Sequence, residues 1–389
     1  MDLFDPNTYR AVRRPLTQAE TLPTQVYTSP EFYQREIETI FMKYWNCVGR
    51  EDYIKNPGEY FIRELVGTSL IIMRGNDHKC RAFLNACRHR GTKLLDQDGR
   101  CNVIQCPYHG WSYGVDGRLV AFNRMESVEN LAPKDYGLVE IKLETWSGFI
   151  FVNFDPDSIS LKQYLGNIGR HTDSYHFEEM VTIRRKEYVV RTNWKAYVEN
   201  SIEPIHLPLV HGKTIGHVFG STNAQWELID GRPGNFVIQH TITDRSRAVL
   251  HNDRGFANLP NLTGTAAEGA QYVLIHPCTV IGGDLDIMWF KQMQPDGPHM
   301  VRNIAALCVP KSALEHPDYE EIIPNYLKRM DMVVNEDSAI AERQFEGMKN
   351  PLTRPGRYSS YEKLVHLFDN WVLDQVFGPE AVAARAAAE

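Results

Sequence analysis

Apolar residues recur along this chain in three textures. Residues 29–45, "SPEFYQREIETIFMKYW", predict a helix with Ser29 as N-cap, Pro30 at the first position and Glu31 in the first turn. There an acid suits the helix dipole. From about 46 to 155 the pattern breaks into short β-type runs cut by Gly, Asn and Asp, among them "EYFIREL", "SLIIMRG", "RAFLNAC", "NVIQC", "WSYGVDGRLV" and "GFIFVNF". These predict a small antiparallel β domain. After "DPDS", the stretch "LKQYLGNIGRHTDSY" predicts a helix, and strand-like runs follow: "RRKEYVVRTNW", "NFVIQHTITD", "QYVLIHPCTVIG" and "LDIMWFKQM". From about 319 to 346 the period lengthens. Leu327, Met330, Val334, Asp337 and Ala341 follow at spacings of three, four, three and four, which puts them on one face of a helix. "YEKLVHLFDNWVLDQVF" (361–377) predicts a second amphipathic helix, with "AVAARAAAE" as a frayed helical end.

Composition narrows the class. The 389 residues suffice for more than one core. Hydrophobic residues at 43% and charged residues at 23% are those of a soluble globular protein. A net charge of −7 supplies no basic stripe for nucleic acid and no polybasic segment for an anionic membrane. No apolar run reaches the roughly 18 residues that would span a bilayer. The start, "MDLFDPNTYRAVRRPL", has no apolar signal core, so the expected location is cytoplasmic. Seven cysteines, an odd number without disulfide rhythm, call for a metal test instead.

Two constellations answer that test. In "NACRHRGTKLLDQDGRCNVIQCPYHGWSY" (85–113), Cys87-x-His89 is followed, after sixteen intervening residues, by Cys106-x-x-His109. Two Cys and two His on separate loops suit either a mononuclear zinc ion or a Rieske [2Fe–2S] cluster. Gly91, Pro107, Gly110 and Gly114 favour tight loops whose backbone N–H groups can donate to cluster sulfurs. One Cys and one His per loop would give each iron one ligand from each loop.

The second constellation is "NWKAYVENSIEPIHLPLVH" (193–211), with His206 and His211 five apart, Glu199 and Glu203 upstream, and Pro204 and Pro208 interrupting any simple helix. On these residues alone the histidines are either metal ligands or packed polar groups. A non-haem Fe(II) oxygenase needs two His and one carboxylate on one face of the metal, leaving open positions. Asp337, on the otherwise apolar stripe of the long helix, offers that carboxylate; an acid there must be ion-paired or metal-bound. Asp331, one position off the stripe, is the competitor and is expected to be solvated.

"CRHRG" with "CPYHGWSY" resembles the Rieske signature of the ring-hydroxylating oxygenase α subunits, the Rieske non-haem iron oxygenases, and "WSGFIFVNFDPD" resembles the segment that closes their Rieske domain. "NWKAYVEN" with the spaced Glu203, His206 and His211 resembles the family's iron-binding stretch. "NEDSAIAERQ" resembles its later segment, in which an acid, here Glu342, stands five after the ligand Asp, here Asp337. The resemblance runs from about residue 25 to 377. It implies an α+β fold: a small antiparallel β Rieske domain at 46–157, and a helix-grip-like catalytic domain of antiparallel sheet and helices at 158–389, to which the N-terminal helical segment 1–45 belongs.

The resemblance implies a [2Fe–2S] cluster on Cys87, His89, Cys106 and His109, and a mononuclear Fe(II) on His206, His211 and Asp337. It also implies a ring-like homotrimer in which Glu203 links His206 to His109 of a neighbouring copy. Family members often carry Asp where Glu203 stands; the longer Glu resembles monooxygenases of quaternary ammonium compounds. Ile205 replaces an aromatic found in many relatives. The expected activity is hydroxylation of a small, aromatic substrate with O₂, with a quaternary-ammonium or N/O-dealkylating monooxygenase as alternative. A Rieske electron carrier without oxygenase activity and a zinc-binding structural module are the readings from other classes. Lacking a G-x-G-x-x-G fingerprint after a strand, the chain is expected to draw on NAD(P)H only through a separate reductase, with or without a ferredoxin or a small β subunit. The pocket is expected to draw on residues from about 212 to 300, among them Phe219, Trp226, Phe236, Ile275 and Trp289, and periodicity does not decide which of these point inward.

Overall fold

The computed structural model describes residues 1–125, 127–215, 224–227 (backbone) and 236–378. Two compact units emerge, Lys43–Gln163 and Met1–Met42 with Tyr164–Glu389. The smaller unit extends a few residues beyond 46–157 because both flanks are tied to its sheet. Asn153 donates to the Lys43 carbonyl at 3.2 Å, and the Leu161 N–H donates to the Glu144 carboxylate at 3.0 Å.

Ten strands build the smaller unit: β1 (Asn46–Arg50), β2 (Glu59–Leu65), β3 (Thr68–Arg74), β4 (Cys80–Leu84), β5 (Gly99–Arg100), β6 (Val103–Gln105), β7 (Ser112–Gly114), β8 (Leu119–Ala121), β9 (Glu140–Trp146) and β10 (Phe149–Asn153). They pair antiparallel as a seven-stranded sheet, β1-β10-β9-β4-β3-β2-β5, and a three-stranded sheet, β6-β7-β8. β3 is buried on both faces, which explains its unbroken apolar run. Leu70 and Ile72 join one core with Val48, Phe61 and Ile150, while Ile71 and Met73 join another containing Cys87, Cys106, Trp111 and Tyr113. Alternation along a single strand thus supports one face for stability and one for the Cys/His loops.

In the larger unit, helix α1 (Pro30–Glu36) starts where the sequence places it, the Ser29 hydroxyl accepting from the Phe32 N–H at 3.1 Å. A π-helical turn, Ile37–Phe41, ends it earlier than residue 45. The stretch 161–175 is not one helix but short helical pieces, Leu161–Leu165 and Gly169–Thr172, with Gly166 at φ +54° between them. Seven strands, β11 (Met180–Val190), β12 (Ala224–Glu227), β13 (Phe236–Ile242), β14 (Gly269–Ile275), β15 (Thr279–Gly283), β16 (Met288–Pro295) and β17 (Val301–Pro310), form an antiparallel sheet in the order β11-β17-β16-β15-β14-β13-β12.

Among the helices of this unit, α2 (Trp194–Ser201), α3 (Leu207–Val210), α4 (Tyr319–Met348) and α5 (Lys363–Phe377) position the site. α4 packs on α2, α3 and β11, burying Met330, Val334, Asp337 and Ala341, whereas Leu327 at the head of the stripe is only partly covered. A buried pair fixes α2 to α1: Lys195 Nζ lies 2.7 Å from Glu36 Oε1, and Trp194 Nε1 donates to Glu36 Oε2 at 2.9 Å. The C-terminal "AVAARAAAE" lies outside the described residues.

Candidate metal centres and active-site cavity

The two Cys/His pairs of the smaller unit occupy loops built alike. In the first, the Gly91 N–H donates to the Cys87 carbonyl and the Cys87 N–H to the Thr92 carbonyl, both at 2.8 Å. In the second, the Gly110 N–H donates to the Cys106 carbonyl at 3.1 Å and the Cys106 N–H to the Trp111 carbonyl at 2.8 Å. Each turn closes through a left-handed glycine, Gly91 at φ +76° and Gly110 at φ +73°, a conformation that a Cβ would strain.

This shared geometry sorts the four donors into pairs. Cys87 and Cys106 are buried in one apolar cluster, and the Nδ1 atoms of His89 and His109 face one another 3.1 Å apart. The His89 ring lies on Trp111, centroids 4.8 Å apart. The Tyr113 hydroxyl accepts from the Arg88 N–H at 3.0 Å and can donate to Cys87 Sγ at 3.3 Å. Burial raises the Cys106 thiol, but backbone hydrogen bonds from Tyr108 and His109, with Cys87 and Thr92, bring it below its ordinary value. A sulfur pair already ringed by donors and a separate nitrogen pair fit a two-iron Rieske cluster.

In the larger unit, α2 ends at Ser201, and Glu203 organises the turn that follows. Its Oε2 accepts from the N–H groups of Ile205 at 2.5 Å and His206 at 3.2 Å. One helical turn, α3, then links the two histidines, with the His211 N–H donating to the Leu207 carbonyl at 3.0 Å. Pro208 sits in its first turn, where a missing N–H leaves no bond unmade. The prolines therefore shorten the helix without preventing it.

The imidazoles converge on Asp337 from α4. Asp337 Oδ1 lies 2.9 Å from His211 Nε2 and 3.6 Å from His206 Nε2. One donor atom from each of the three residues lies within 4.8 Å of the others. The remaining ring nitrogens have carboxylate partners: Glu203 Oε1 is 2.5 Å from His206 Nδ1, and Glu336 Oε2 is 2.7 Å from His211 Nδ1. The Thr214 hydroxyl donates to Glu336 at 2.7 Å. Burial would raise the Asp337 carboxyl, but the Lys291 ammonium and the two histidines hold it well below the usual carboxylate range. His211 is raised: burial lowers it, and the Asp337 and Glu336 carboxylates more than offset that.

Other acids turn elsewhere. Asp331 is ion-paired rather than solvated, taking both Oδ atoms to Arg184 at 2.7 Å and one to Lys186 and Tyr188. Glu199 accepts from the Tyr27 hydroxyl at 2.9 Å, and Glu342 from the Arg191 N–H at 3.0 Å. Glu336, Lys291 and Arg329 were not anticipated. Lys291 Nζ donates to Asp337 Oδ2 at 3.1 Å; a lysine inside the apolar run "MWFKQM" was the available signal.

A cavity of 80 Å³ opens on this group, lined among others by Gln239, Tyr272, Trp289, Lys291 and Arg329. Trp289 lines it as expected. Phe236 and Ile275 do not, for a reason of strand parity. Gln239 and Tyr272 are a cross-strand pair on the cavity face, and Phe236 and Ile275, paired three residues along each strand, point to the other face. Phe219 and the Trp226 side chain lie outside the described residues.

Fold and site together define a Rieske-type oxygenase. Residues 44–132 match the Rieske [2Fe-2S] domain, and residues 177–378 match the ring hydroxylating alpha subunit (catalytic domain). The chain belongs to the ring-hydroxylating oxygenase α-subunit family, and the electron-carrier and zinc-module readings give way to an enzyme. Its curated relatives include the chloroplastic choline monooxygenase of Spinacia oleracea, 28% identical over 368 residues, 92% of this chain and 79% of the relative. The carnitine monooxygenase oxygenase subunit of Escherichia coli (strain K12) is 36% identical over 267 residues, 68% of this chain and 67% of the relative. Among solved structures, a quaternary ammonium Rieske monooxygenase described as revealing inter-subunit electron transfer superposes with a TM-score of 0.79 at 24% identity, covering 92% of this chain and 95% of that one. These relatives do not support aromatic catabolism over oxidation of quaternary amines. No helix among the described residues is long and apolar enough to cross a membrane.

Proposed function

We propose that this chain is the terminal component of a monooxygenase acting on a quaternary-ammonium compound, with Fe(II) held by His206, His211 and Asp337 and the [2Fe–2S] cluster by Cys87, His89, Cys106 and His109. The observation that carries the iron site is the group of two Nε2 atoms and one carboxylate, each imidazole backed by its own acid, while the likeness to choline and carnitine monooxygenases supports the substrate class. Two His and one carboxylate with open positions suit an oxygenase iron. Iron bound there would supply O₂ activation, and a [2Fe–2S] cluster on Cys87, His89, Cys106 and His109 would supply one-electron transfer.

The chain's own residues prepare that chemistry. Glu203 and Glu336 fix a proton on each Nδ1, which leaves each Nε2 lone pair for the metal and orients the ring. Lys291 holds Asp337 Oδ2, directing Oδ1 toward the histidines. Leu207, Ile215 and Val333 form an apolar cluster beside the site that limits access of water. Electrons come from a separate reductase. In a homotrimer, Glu203 would pass them from His109 of a neighbouring copy to His206; its Oε1 retains a lone pair beyond the bond to His206.

The test is metal and sulfide analysis of purified protein, followed by product mass spectrometry with choline, carnitine and aromatic acids in the presence of a reductase. Two cluster irons, acid-labile sulfide, a third iron and an oxygenated or demethylated ammonium product are expected. Zinc without sulfide would sink the proposal. Turnover of aromatic compounds alone would return the substrate class to the arene oxygenases.

A further inference from the structure

Two cations line the cavity beside His206, His211 and Asp337: Lys291 and Arg329. Lys291 is engaged with Asp337 Oδ2 at 3.1 Å. Arg329 is not engaged. It is only 9% exposed, its Nε makes no hydrogen bond, and no ion pair within 4.0 Å joins its guanidinium to an acid among the described residues. Asp284 and Asp337 are near enough to feel its charge, and burial lowers its pKa. A buried guanidinium left without a counter-ion is unfavourable unless something else supplies one.

Its position suggests what does. Arg329 lies on α4, eight residues before Asp337, so their Cα atoms are about 12 Å apart along the helix. Arg329 and Ile215 line both the 80 Å³ cavity at the metal donors and an adjoining cavity of 470 Å³. Arg329 therefore borders both the larger space and the cavity at the metal donors. The same small cavity is lined by Trp289 and Tyr272, ring centroids 5.5 Å apart. Aromatic faces suit an ammonium group, and a planar guanidinium fork suits a carboxylate held by two parallel hydrogen bonds.

We infer that Arg329 binds a carboxylate of the substrate, so that this site takes acids or zwitterions whose carboxylate lies several bonds from the carbon to be oxidised, rather than choline-like simple cations. The inference builds on the oxygenase proposal above and sharpens its substrate class.

The test compares an acid with its uncharged ester on the iron-loaded holoenzyme. Dissociation constants are measured by calorimetry for γ-butyrobetaine and its methyl ester, then for benzoate and methyl benzoate. Wild type should bind γ-butyrobetaine about ten- to hundredfold tighter than its ester. Arg329→Met should remove that preference and Arg329→Lys restore part of it, with the cluster spectrum unchanged. Preference for benzoate alone, lost in Arg329→Met, would keep the carboxylate site and overturn the ammonium reading. No preference for the acid in either pair, absence of binding included, would overturn the carboxylate site. Equal weakening of acid and ester by Arg329→Met would do the same. The wild-type comparison stands even where a variant fails to fold.

Discussion

Glu203 Oε1 lies 2.5 Å from Nδ1 of His206, three residues further along the same chain. The other oxygen of that carboxylate caps the turn between them. Glu203 thus sets both the backbone entry to His206 and the protonation of its ring. Glu203→Gln should keep the turn and leave the cluster's EPR signal unchanged, while lowering turnover by about 10- to 100-fold. Steady-state product formation alongside the EPR spectrum checks this; unchanged turnover would remove Glu203 from the electron path.

Glu336 plays the matching part for His211, at 2.7 Å, and is steadied by Thr214. Glu336→Ala should weaken mononuclear iron affinity by about 10- to 100-fold. Equilibrium dialysis against Fe(II), with cluster iron counted separately through labile sulfide, measures the effect.

Removal of the mononuclear metal should separate the two centres. His206→Ala and Asp337→Ala should each abolish turnover and lose one iron per chain while retaining the visible Rieske spectrum. Cys87→Ala should lose that spectrum. In wild type, mild chelation should silence the enzyme and Fe(II) should restore it.

The buried pair Lys195–Glu36, at 2.7 Å, joins α1 to α2 upstream of the histidines. Glu36→Ala leaves a buried ammonium without its counter-charge and should destabilise by about 3–5 kcal/mol. Thermal or denaturant unfolding of the variant would report it; a shift within experimental error would mean that the lysine finds another partner.

A pH dependence follows from Asp369, which burial raises to about 7 against help from the Tyr358 hydroxyl and the neighbouring Glu199. Glu199 is also raised by burial and by Asp369. The folded state therefore binds more protons than the unfolded chain between the ordinary carboxylate range and about 7. Their contribution is fully present at low pH and is lost as pH rises through that window. Asp369→Asn, which retains an acceptor for Tyr358, should lose less stability than wild type from pH 5 to 8, seen as a flatter Tm profile.

Much of the fold was legible because its signals are local. Ser29 and Pro30 start a helix through their own backbone chemistry, and the short β-type run "EYFIREL" forms β2, with Phe61 and Leu65 in one apolar cluster and Tyr60 and Ile62 against another. Lys291 and Glu336 were missed because nothing in strand or helix periodicity says which charge faces which. The parity of β13 and β14, which excludes Phe236 and Ile275 from the cavity, depends on a register that pairing alone establishes.

The sequence by itself determined the donor types, their loops and the helix face of Asp337, since spacing and period are properties of the chain. Only tertiary structure decided that His206, His211 and Asp337 converge on one space, and that Glu336 stands behind His211. The contacts of His211 with Glu336 and Asp337 join residues more than a hundred positions apart, whereas Glu203 reaches His206 from three residues away. Their geometry comes from α4 packing against α2 and α3, and no local pattern encodes the distance that this packing leaves.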